Sequence, residues 1–386
     1  MTWTCPFCPL ACDHLGVRVG QGTEALALQA GDCPRAARAL ASFPSAPPVP
    51  VAEVDGQAVP LHEAVDAAAR LLGASRQPLF AGLGTDVAGA RALYPLACAT
   101  GAIVDAAGGD ALMHGLRALQ DRGQFTTTLA EVKERADLVV LLGGPPGDVA
   151  PLAAERLGLA GKAVEVLGGD PFEAVAWLEA GITGRLADRV PPAIAALAQR
   201  LRDAHYGVIV GTPALLPAQG ALVVEAVHRI VDHLNRKTRA AALWLGGGNG
   251  AATSNQVFAW LSGLPVRSRV GPLGLEHEPS AFATDRLLAE GAVDLLLWVS
   301  AFDATAAPPA TALPLVVLGH PAQAIAARRA GAVFIGVTTP GIGRAGHVFR
   351  TDGTVLMPLH AARPDGLPSV DEVASRLVAA LKAMSL

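Results

Sequence analysis

The chain has 386 residues, of which 51% are hydrophobic, 17% charged and 4% aromatic, and its formal net charge at pH 7 is −4. This length is sufficient for two or three domains with buried cores. The scattered lysines and arginines exclude a nucleic-acid groove or an anionic membrane surface as the partner. The sequence has no apolar run of about eighteen residues that would span a membrane, and its first residues lack the features of a signal peptide. We therefore expect a cytoplasmic protein.

Four cysteines lie near the start of the chain in the pattern C-x2-C-x3-C-x20-C-P, namely Cys5, Cys8, Cys12 and Cys33. An iron–sulfur cluster takes four thiolates around a compact cage, and a Cys-Pro pair suits the last ligand. We therefore predict a 4Fe–4S cluster held by these four residues. A structural zinc, which usually takes two separated C-x2-C pairs, and unliganded thiols are the alternatives. Cys98 lies in an apolar run and is predicted to be a small buried side chain.

The segment after the cysteines changes character several times. A short helix is predicted over 35–42, a proline-rich boundary over 44–50 and a hairpin over 51–59 around Asp55-Gly56. Apolar spacing predicts a helix from Leu61 onward. The N-terminal segment is therefore predicted to be separate from the fold that follows it.

Apolar strands alternate with helices over most of the remaining chain. The strands are predicted at 78–82, 102–105, 138–143, 163–167, 207–211, 241–245, 294–300, 314–318 and 333–337. Such βαβ alternation predicts parallel sheets covered on both faces, and the number of strands exceeds one ordinary sheet. The predicted fold class is thus α/β, with two doubly wound parallel-sheet lobes and a small N-terminal cysteine-rich iron–sulfur-type segment. Two capping boxes, Thr128 with Glu131 and Ser369 with Glu372, mark the starts of helices.

Two glycine-rich stretches are candidates for nucleotide binding. Residues 341–346 match G-x-G-x-x-G, but the following residues predict a β-hairpin and supply no helix N-terminus for a pyrophosphate. Residues 246–251 lie between a strand and a helix, yet no acidic residue follows about twenty positions later. We therefore do not predict a nicotinamide site, and we interpret 246–251 as a loop that approaches a partner or a ligand.

Residues 105–115 leave a strand through a long glycine-rich turn, which is where α/β folds place their sites. Taken alone, the simpler interpretation is a loop with a buried methionine. The histidines form no ligand pattern, since His228 and His233 are five positions apart and lie on different faces of their helix.

Several segments together resemble the B subunit of formylmethanofuran dehydrogenase, a molybdopterin and tungstopterin oxidoreductase. The matches run over nearly the whole chain in the same order: the cysteine pattern of 5–33 and residues 105–115, 118–121, 129–137, 255–260 and 350–353. The sequence is also similar in length and alanine content to the B subunit of the formyltransferase/hydrolase complex of methylotrophic bacteria. The resemblance implies that the first lobe is interrupted by the second.

Position 113 separates these two relatives. In the dehydrogenase, the residue before the His-Gly pair of this loop is a cysteine or selenocysteine that binds tungsten or molybdenum, whereas this sequence has Met113 followed by His114 and Gly115. A neutral thioether cannot replace an anionic thiolate on a high-valent metal. The chain also ends without the β-barrel domain that helps to hold the pterin, although another chain could supply one. We therefore expect no catalytic residue, with Met113 and His114 as vestiges, and no bound molybdopterin or tungstopterin.

The resemblance implies a non-redox structural and carrier-docking subunit in tetrahydromethanopterin-linked one-carbon metabolism. The whole complex would transfer a formyl group to a methanofuran-type carrier and release formate. Its active sites would lie on amidohydrolase-like and formyltransferase-like partners, next to a C subunit. The alternative is an active formylmethanofuran or formate dehydrogenase. A nicotinamide-dependent dehydrogenase is a third hypothesis, and it predicts thermal stabilisation by nucleotide, which we do not expect.

The predicted domain limits follow from the strands and from the resemblance together. They are an N-terminal cysteine-rich segment with its linker at 1–52, a discontinuous first lobe at 53–130 and 265–340, a second lobe at 131–264, and a hairpin with a C-terminal helix at 341–386.

Overall fold

The computed structural model describes residues 2–20, 26–43 and 51–384. The proline-rich boundary predicted at 44–50 lies outside these residues. The strands are β1 Thr2–Trp3, β2 Leu15–Arg18, β3 Ala27–Ala30, β4 Ala52–Val54, β5 Gln57–Ala58, β6 Pro78–Gly84, β7 Ile103–Ala106, β8 Leu138–Leu142, β9 Ala163–Leu167, β10 Tyr206–Gly211, β11 Arg239–Trp244, β12 Ser268–Gly271, β13 Gly274–His277, β14 Leu295–Ser300, β15 Leu315–Gly319, β16 Ala332–Gly336, β17 Gly346–Phe349 and β18 Leu356–Leu359. The helices are α1 Pro34–Leu40, α2 Leu61–Ala74, α3 Val87–Thr100, α4 Gly109–Arg122, α5 Leu129–Arg135, α6 Ala153–Arg156, α7 Pro171–Thr183, α8 Pro192–Asp203, α9 Ala221–Leu234, α10 Ala251–Ser262, α11 Thr284–Ala289, α12 Ala324–Ala327 and α13 Val370–Met384.

The chain forms two compact units. Unit 1 contains Met1–Gly109, Gly247–Arg350 and Leu356–Leu386, and unit 2 contains Asp110–Gly246 and Thr351–Val355. These limits differ from the predicted ones at 110–130, which the sequence assigned to the first lobe, and at 247–264, which it assigned to the second. The predicted domain limits stay a prediction.

The sheet of unit 1 is mixed. Within the described residues it has nine strands in the order β13-β12-β7-β6-β14-β15-β16-β4-β5. The central strands β7, β6, β14, β15 and β16 are parallel, and the outer strands pair antiparallel. The chain builds the sheet outward from β6 in one direction and from β14 in the other, so the topological switch point lies between these two strands. The prediction of an α/β fold with parallel sheets is confirmed, but a wholly parallel sheet was wrong at both edges.

Unit 2 has a smaller sheet that is parallel throughout. Its described strands follow the order β11-β10-β8-β9, with each neighbour in parallel register. Leu178 of α7, Leu201 of α8 and Val227 of α9 are among the buried side chains that pack on one face of this sheet. The sheet therefore has the doubly wound strand order that the alternating pattern predicts.

The central strands form where the sequence has continuous apolar runs. Every residue of β6 and of β8 is buried. Removing one such leucine or phenylalanine side chain from water contributes about 1.5–3 kcal/mol to folding. Strands that are buried on both faces do not alternate apolar with polar residues as half-exposed strands do. Continuous apolar runs, and not an apolar–polar alternation, therefore predicted them.

The predicted helix starts are present. Thr128 accepts a hydrogen bond from the Glu131 N–H (3.1 Å) at the start of α5. Ser369 and Glu372 form both bonds of a capping box, since the Ser369 N–H donates to Glu372 Oε2 (3.1 Å) and the Glu372 N–H donates to Ser369 Oγ (3.3 Å). Each such cap stabilises its helix by about 1 kcal/mol.

Both predicted hairpins are confirmed, and the predicted long turn after β7 is wrong. Strands β4 and β5 pair around Asp55 and Gly56, whose φ angles are 52° and 76°, and β17 pairs with β18.

Residues 105–115, however, are a loop only as far as Gly108, because α4 begins at Gly109. Asp110 lies in the first turn of α4, where a negative charge stabilises the helix dipole.

In the ranges that the structure describes, no helix has the length and apolar character required to cross a membrane.

Candidate functional site

The first three cysteines lie in one loop of unit 1. Strand β1 pairs antiparallel with β2, with Trp3 opposite Leu15, so residues 4–14 form the connection between the two strands. The Cys5 N–H donates to the Cys12 carbonyl (2.8 Å), which closes the loop. Ala11 has a left-handed backbone with φ of 42°, which lets the chain turn back toward Cys12. The loop therefore folds back on itself through backbone contacts.

The fourth cysteine is at the start of α1, and all four side chains are buried. Cys33 immediately precedes α1, whose first residue is Pro34. Exposure is 2% for Cys5, 6% for Cys8, 2% for Cys12 and 4% for Cys33, and all of them are free thiols. Burial raises the pKa of Cys5 well above its usual value, and the neighbouring Cys8, Cys12 and Cys33 raise it further. A bound cation would therefore have to displace thiol protons.

Donors to the cysteine sulfurs are also present. Burial raises the pKa of Cys8, whereas the backbone N–H of Leu10, the charge of Arg35 and the N–H of Ala11 lower it. The Phe7 N–H has the same lowering effect on Cys5. Hydrogen bonds to sulfur stabilise the thiolate and are among the features that set the properties of iron–sulfur clusters. Backbone donors thus face the sulfurs of Cys5 and Cys8, two of the four predicted ligands.

A single-ion site is not found. In the part of the chain that the structure describes, no group of three or more His, Cys, Asp or Glu side chains is placed to hold a metal ion. The predicted iron–sulfur character of the N-terminal segment is not confirmed and stays a prediction.

The glycine-rich loop at 247–250 packs against this cysteine segment. A Cβ atom on Gly248 would lie 2.9 Å from Pro9 Cδ and 3.1 Å from Pro9 N, so only glycine allows this approach. A Cβ on Gly84, at the end of β6, would lie 2.7 Å from the Asn249 carbonyl oxygen. The loop therefore fills the end of β6 at the switch point, where α/β folds usually bind ligands. The loop thus approaches the cysteine segment of its own chain, and its approach to a partner or a ligand stays a prediction.

Asn249 connects the end of β14 to Arg35 of the cysteine segment, and the sequence analysis missed it. Its Nδ2 donates to Asp303 Oδ2 (3.0 Å), beyond the end of β14, and its Oδ1 accepts from Arg35 Nη2 (3.4 Å). Arg35 Nε also donates to the Phe7 carbonyl (2.6 Å). The sequence carries one signal, an asparagine in a glycine run, since asparagine tolerates the left-handed φ of 53° found here.

Replacing Gly250 with alanine is expected to destabilise the protein. Gly250 has φ of 82°, and an added Cβ would lie 2.4 Å from the Thr85 carbonyl oxygen and 2.6 Å from Thr85 N. Left-handed strain costs about 1–3 kcal/mol and the backbone clash adds to it. Urea denaturation of Gly250→Ala measures this loss. Gly263→Ala is the matched control, because Gly263 has φ of 80° and open space around it, and an equal loss in both variants would contradict the clash.

Asp105, at the end of β7 in unit 1, anchors a buried polar network. Its Oδ1 accepts from Arg267 Nε (3.1 Å) and from the Ala106 N–H (3.0 Å), and its Oδ2 accepts from the Thr284 N–H (3.0 Å) and Oγ1 (2.9 Å). Burial raises the pKa of Asp105, and the charge and hydrogen bond of Arg267 oppose this effect. With every acceptor position used internally, Asp105 holds the strand end in place and is not available to a substrate.

Met113 and His114 belong to unit 2. Both lie on α4, where Met113 is buried and His114 is half-buried. A Cβ on Gly220 would lie 2.9 Å from His114 Cδ2 and 2.7 Å from the Leu216 Cβ, so the imidazole packs on the glycine that precedes α9. The four cysteines are thus brought together within unit 1, and the Met113-His114 pair lies in the other unit.

Comparison with known proteins gives a consistent assignment. No protein-family model matches the chain. The chain is 32% identical over 353 residues to the Fhc B subunit of the formyltransferase/hydrolase complex of Methylorubrum extorquens, covering 85% of this chain and 96% of that protein. It also matches one chain in the crystal structure of the formyltransferase/hydrolase complex (FhcABCD) from the same organism in complex with methylofuran. The TM-score is 0.75 and the identity 30%, and the match covers 86% of this chain and 99% of that chain.

Both matches extend over nearly the full length of the relative, and the second adds a common three-dimensional fold. The chain therefore belongs to the family of the B subunits of formyltransferase/hydrolase complexes.

Proposed function

We propose that this chain is a non-redox subunit of a formyltransferase/hydrolase complex, which positions its partner subunits and helps to dock a methanofuran-type carrier. The identity of 32% across 96% of a known B subunit carries this proposal. The relative of known structure is a complex with methylofuran bound. The formyl chemistry, from tetrahydromethanopterin to formate, takes place on the partner subunits. None of the five cysteines forms a disulfide, which fits a reducing compartment such as the cytoplasm.

The side chain at position 113 supports the non-redox role. A neutral thioether at Met113 supplies no anionic ligand for tungsten or molybdenum. Met113 is 3% exposed, so the thioether is packed as an ordinary core side chain. The chain thus lacks the ligand at the position where the resembling dehydrogenase binds its metal.

We further propose that Cys5, Cys8, Cys12 and Cys33 bind a 4Fe–4S cluster. The burial of the four thiols and the backbone donors to Cys5 and Cys8 support it. Such a cluster would supply an electron-accepting centre, and in this chain it would mainly tie the N-terminal segment to the fold.

Co-purification tests the subunit role. A tagged copy of this chain, expressed together with the A, C and D subunits, is expected to retain all three through affinity and size-exclusion chromatography. Recovery of the chain alone, with the other subunits in the unbound fraction, would contradict the proposal.

Metal analysis of the same complex, prepared without oxygen, tests the cofactor predictions. We expect about four iron and four sulfide per chain, and no tungsten, molybdenum or pterin. Cys12→Ala should remove the iron, whereas Cys98→Ala, at the cysteine outside the pattern, should retain it. One tungsten or molybdenum with two pterins per chain would instead indicate an active dehydrogenase.

A further inference from the structure

Three residues that are far apart in the sequence form a continuous contact beside the cysteine segment. Asp303 is fixed first, because its Oδ1 accepts from the Thr305 N–H (2.8 Å) and from Thr305 Oγ1 (2.7 Å). Its Oδ2 then accepts from Asn249 Nδ2 (3.0 Å). A carboxylate only accepts hydrogen bonds, so the NH2 end of the Asn249 side chain must face Asp303. The side-chain oxygen of Asn249 therefore points the other way.

The oxygen of Asn249 points to Arg35. Its Oδ1 accepts from Arg35 Nη2 (3.4 Å), while Arg35 Nε donates to the carbonyl of Phe7 (2.6 Å). Phe7 is the residue before Cys8, and Arg35 is the second residue after Cys33. A guanidinium that donates through two of its nitrogens, here Nε and Nη2, keeps its charge in one place, since the group is planar and rigid.

We propose that Asn249 is a positioning residue that, through Arg35, sets the charge environment of the four-cysteine site. This inference rests on the cluster proposed above. Four thiolates carry more negative charge than an iron–sulfur core neutralises, so a fixed neighbouring cation stabilises the loaded site. The same cation favours the reduced form, which has one more negative charge. Asn249 and Asp303 do not touch the cysteines, and their effect passes through Arg35.

Asn249→Gly is the appropriate variant, because glycine keeps the left-handed φ of 53° and removes only the amide. Gln219→Gly is the matched control, since Gln219 also has a left-handed φ, of 63°, and lies in unit 2. Both variants are prepared as the full chain in its complex, without oxygen. The measurements are iron and sulfide content, the rate of iron release to a chelator, and the midpoint potential from the visible spectrum.

The wild type and Gln219→Gly are expected to have the same iron content, release rate and potential. Asn249→Gly should release iron about tenfold faster, the lower end of the loss of metal affinity that follows removal of a group around metal ligands, and its potential should be more negative. Arg35→Gln should show the same two changes. In the Arg35→Gln background, Asn249→Gly should add nothing, because the residue acts through Arg35.

The outcomes separate the two levels of the inference. Wild-type protein without iron and sulfide would overturn the cluster and the positioning role together. A loaded wild type with an unchanged potential in Asn249→Gly would overturn only the positioning role. If Asn249→Gly changed the iron-release rate and the potential equally in the wild-type and Arg35→Gln backgrounds, the positioning role would also be overturned. Such an effect would come from the structure of the loop and would not depend on Arg35.

Discussion

Replacing Asp105 with asparagine is expected to lower the free energy of unfolding by about 3–5 kcal/mol, because it removes the carboxylate that faces the buried Arg267 guanidinium. Asp105 and Arg267 are only 2% and 4% exposed. Both oxygens of Asp105 accept hydrogen bonds, whereas an asparagine has one oxygen and one NH2 group. The NH2 group would face either the Arg267 Nε–H or the two Thr284 donors, and the bonds on that side would be lost. Arg267 also has a left-handed φ of 62°, which the surrounding contacts must maintain.

Urea denaturation followed by circular dichroism measures this effect. Asp232→Asn is the control, because Asp232 pairs with Arg236 on the surface, where the two side chains are 51% and 66% exposed, and such a pair contributes less than about 1 kcal/mol. The double variant Asp105→Asn, Arg267→Met should recover part of the loss, since it also removes the buried positive charge that faced Asp105. A loss at position 105 as small as that at position 232 would show that water or other acceptors reach the Arg267 guanidinium.

The central strands and several turns could be predicted from the sequence because each depends on local chemistry. An apolar run such as β8, a capping serine such as Ser369 and a turn such as Asp55-Gly56 need no distant partner to be recognised. Strands β2, β12 and β13 were missed for the opposite reason. They are short and partly exposed, so neither a continuous apolar run nor a clear alternation marks them in the sequence.

The polar contacts of the candidate site could not be predicted, because they join distant segments. Asn249 is 214 positions from Arg35 and 54 from Asp303, and Asp105 is 162 positions from Arg267. No periodicity links such residues, and arginine is not a residue that favours a left-handed backbone. The spacing of the four cysteines predicted a common ligand, which stays a prediction, and the structure shows that all four side chains are buried.

Lowering the pH from 6.5 to about 4 is expected to destabilise unit 2 through His228. Burial lowers the pKa of His228 from 6.5 to about 4. The Phe125 N–H lies 3.3 Å from its Nδ1 and the Trp244 Nε1–H lies 3.1 Å from its Nε2, so a protonated imidazole would face two donors with no acceptor. The unfolded chain binds a proton at this residue below pH 6.5, whereas the folded chain does not until about pH 4. Stability is therefore constant above pH 6.5 and falls as the pH decreases through this window.

The loss amounts to about 3 kcal/mol for a side chain as buried as His228, at 1.36 kcal/mol per pKa unit. Urea denaturation at pH 7.5, 6, 5 and 4 measures it, and His228→Gln tests its origin, because glutamine can accept one of the two hydrogen bonds and does not titrate. His228→Gln should be less stable than the wild type at pH 7.5 and should lose less stability than the wild type on acidification. The exposed His62→Gln should keep the wild-type profile. If His228→Gln and the wild type lose the same stability between pH 6.5 and 4, the acid sensitivity arises elsewhere, and another candidate is His320 of unit 1, whose pKa burial also lowers to about 4.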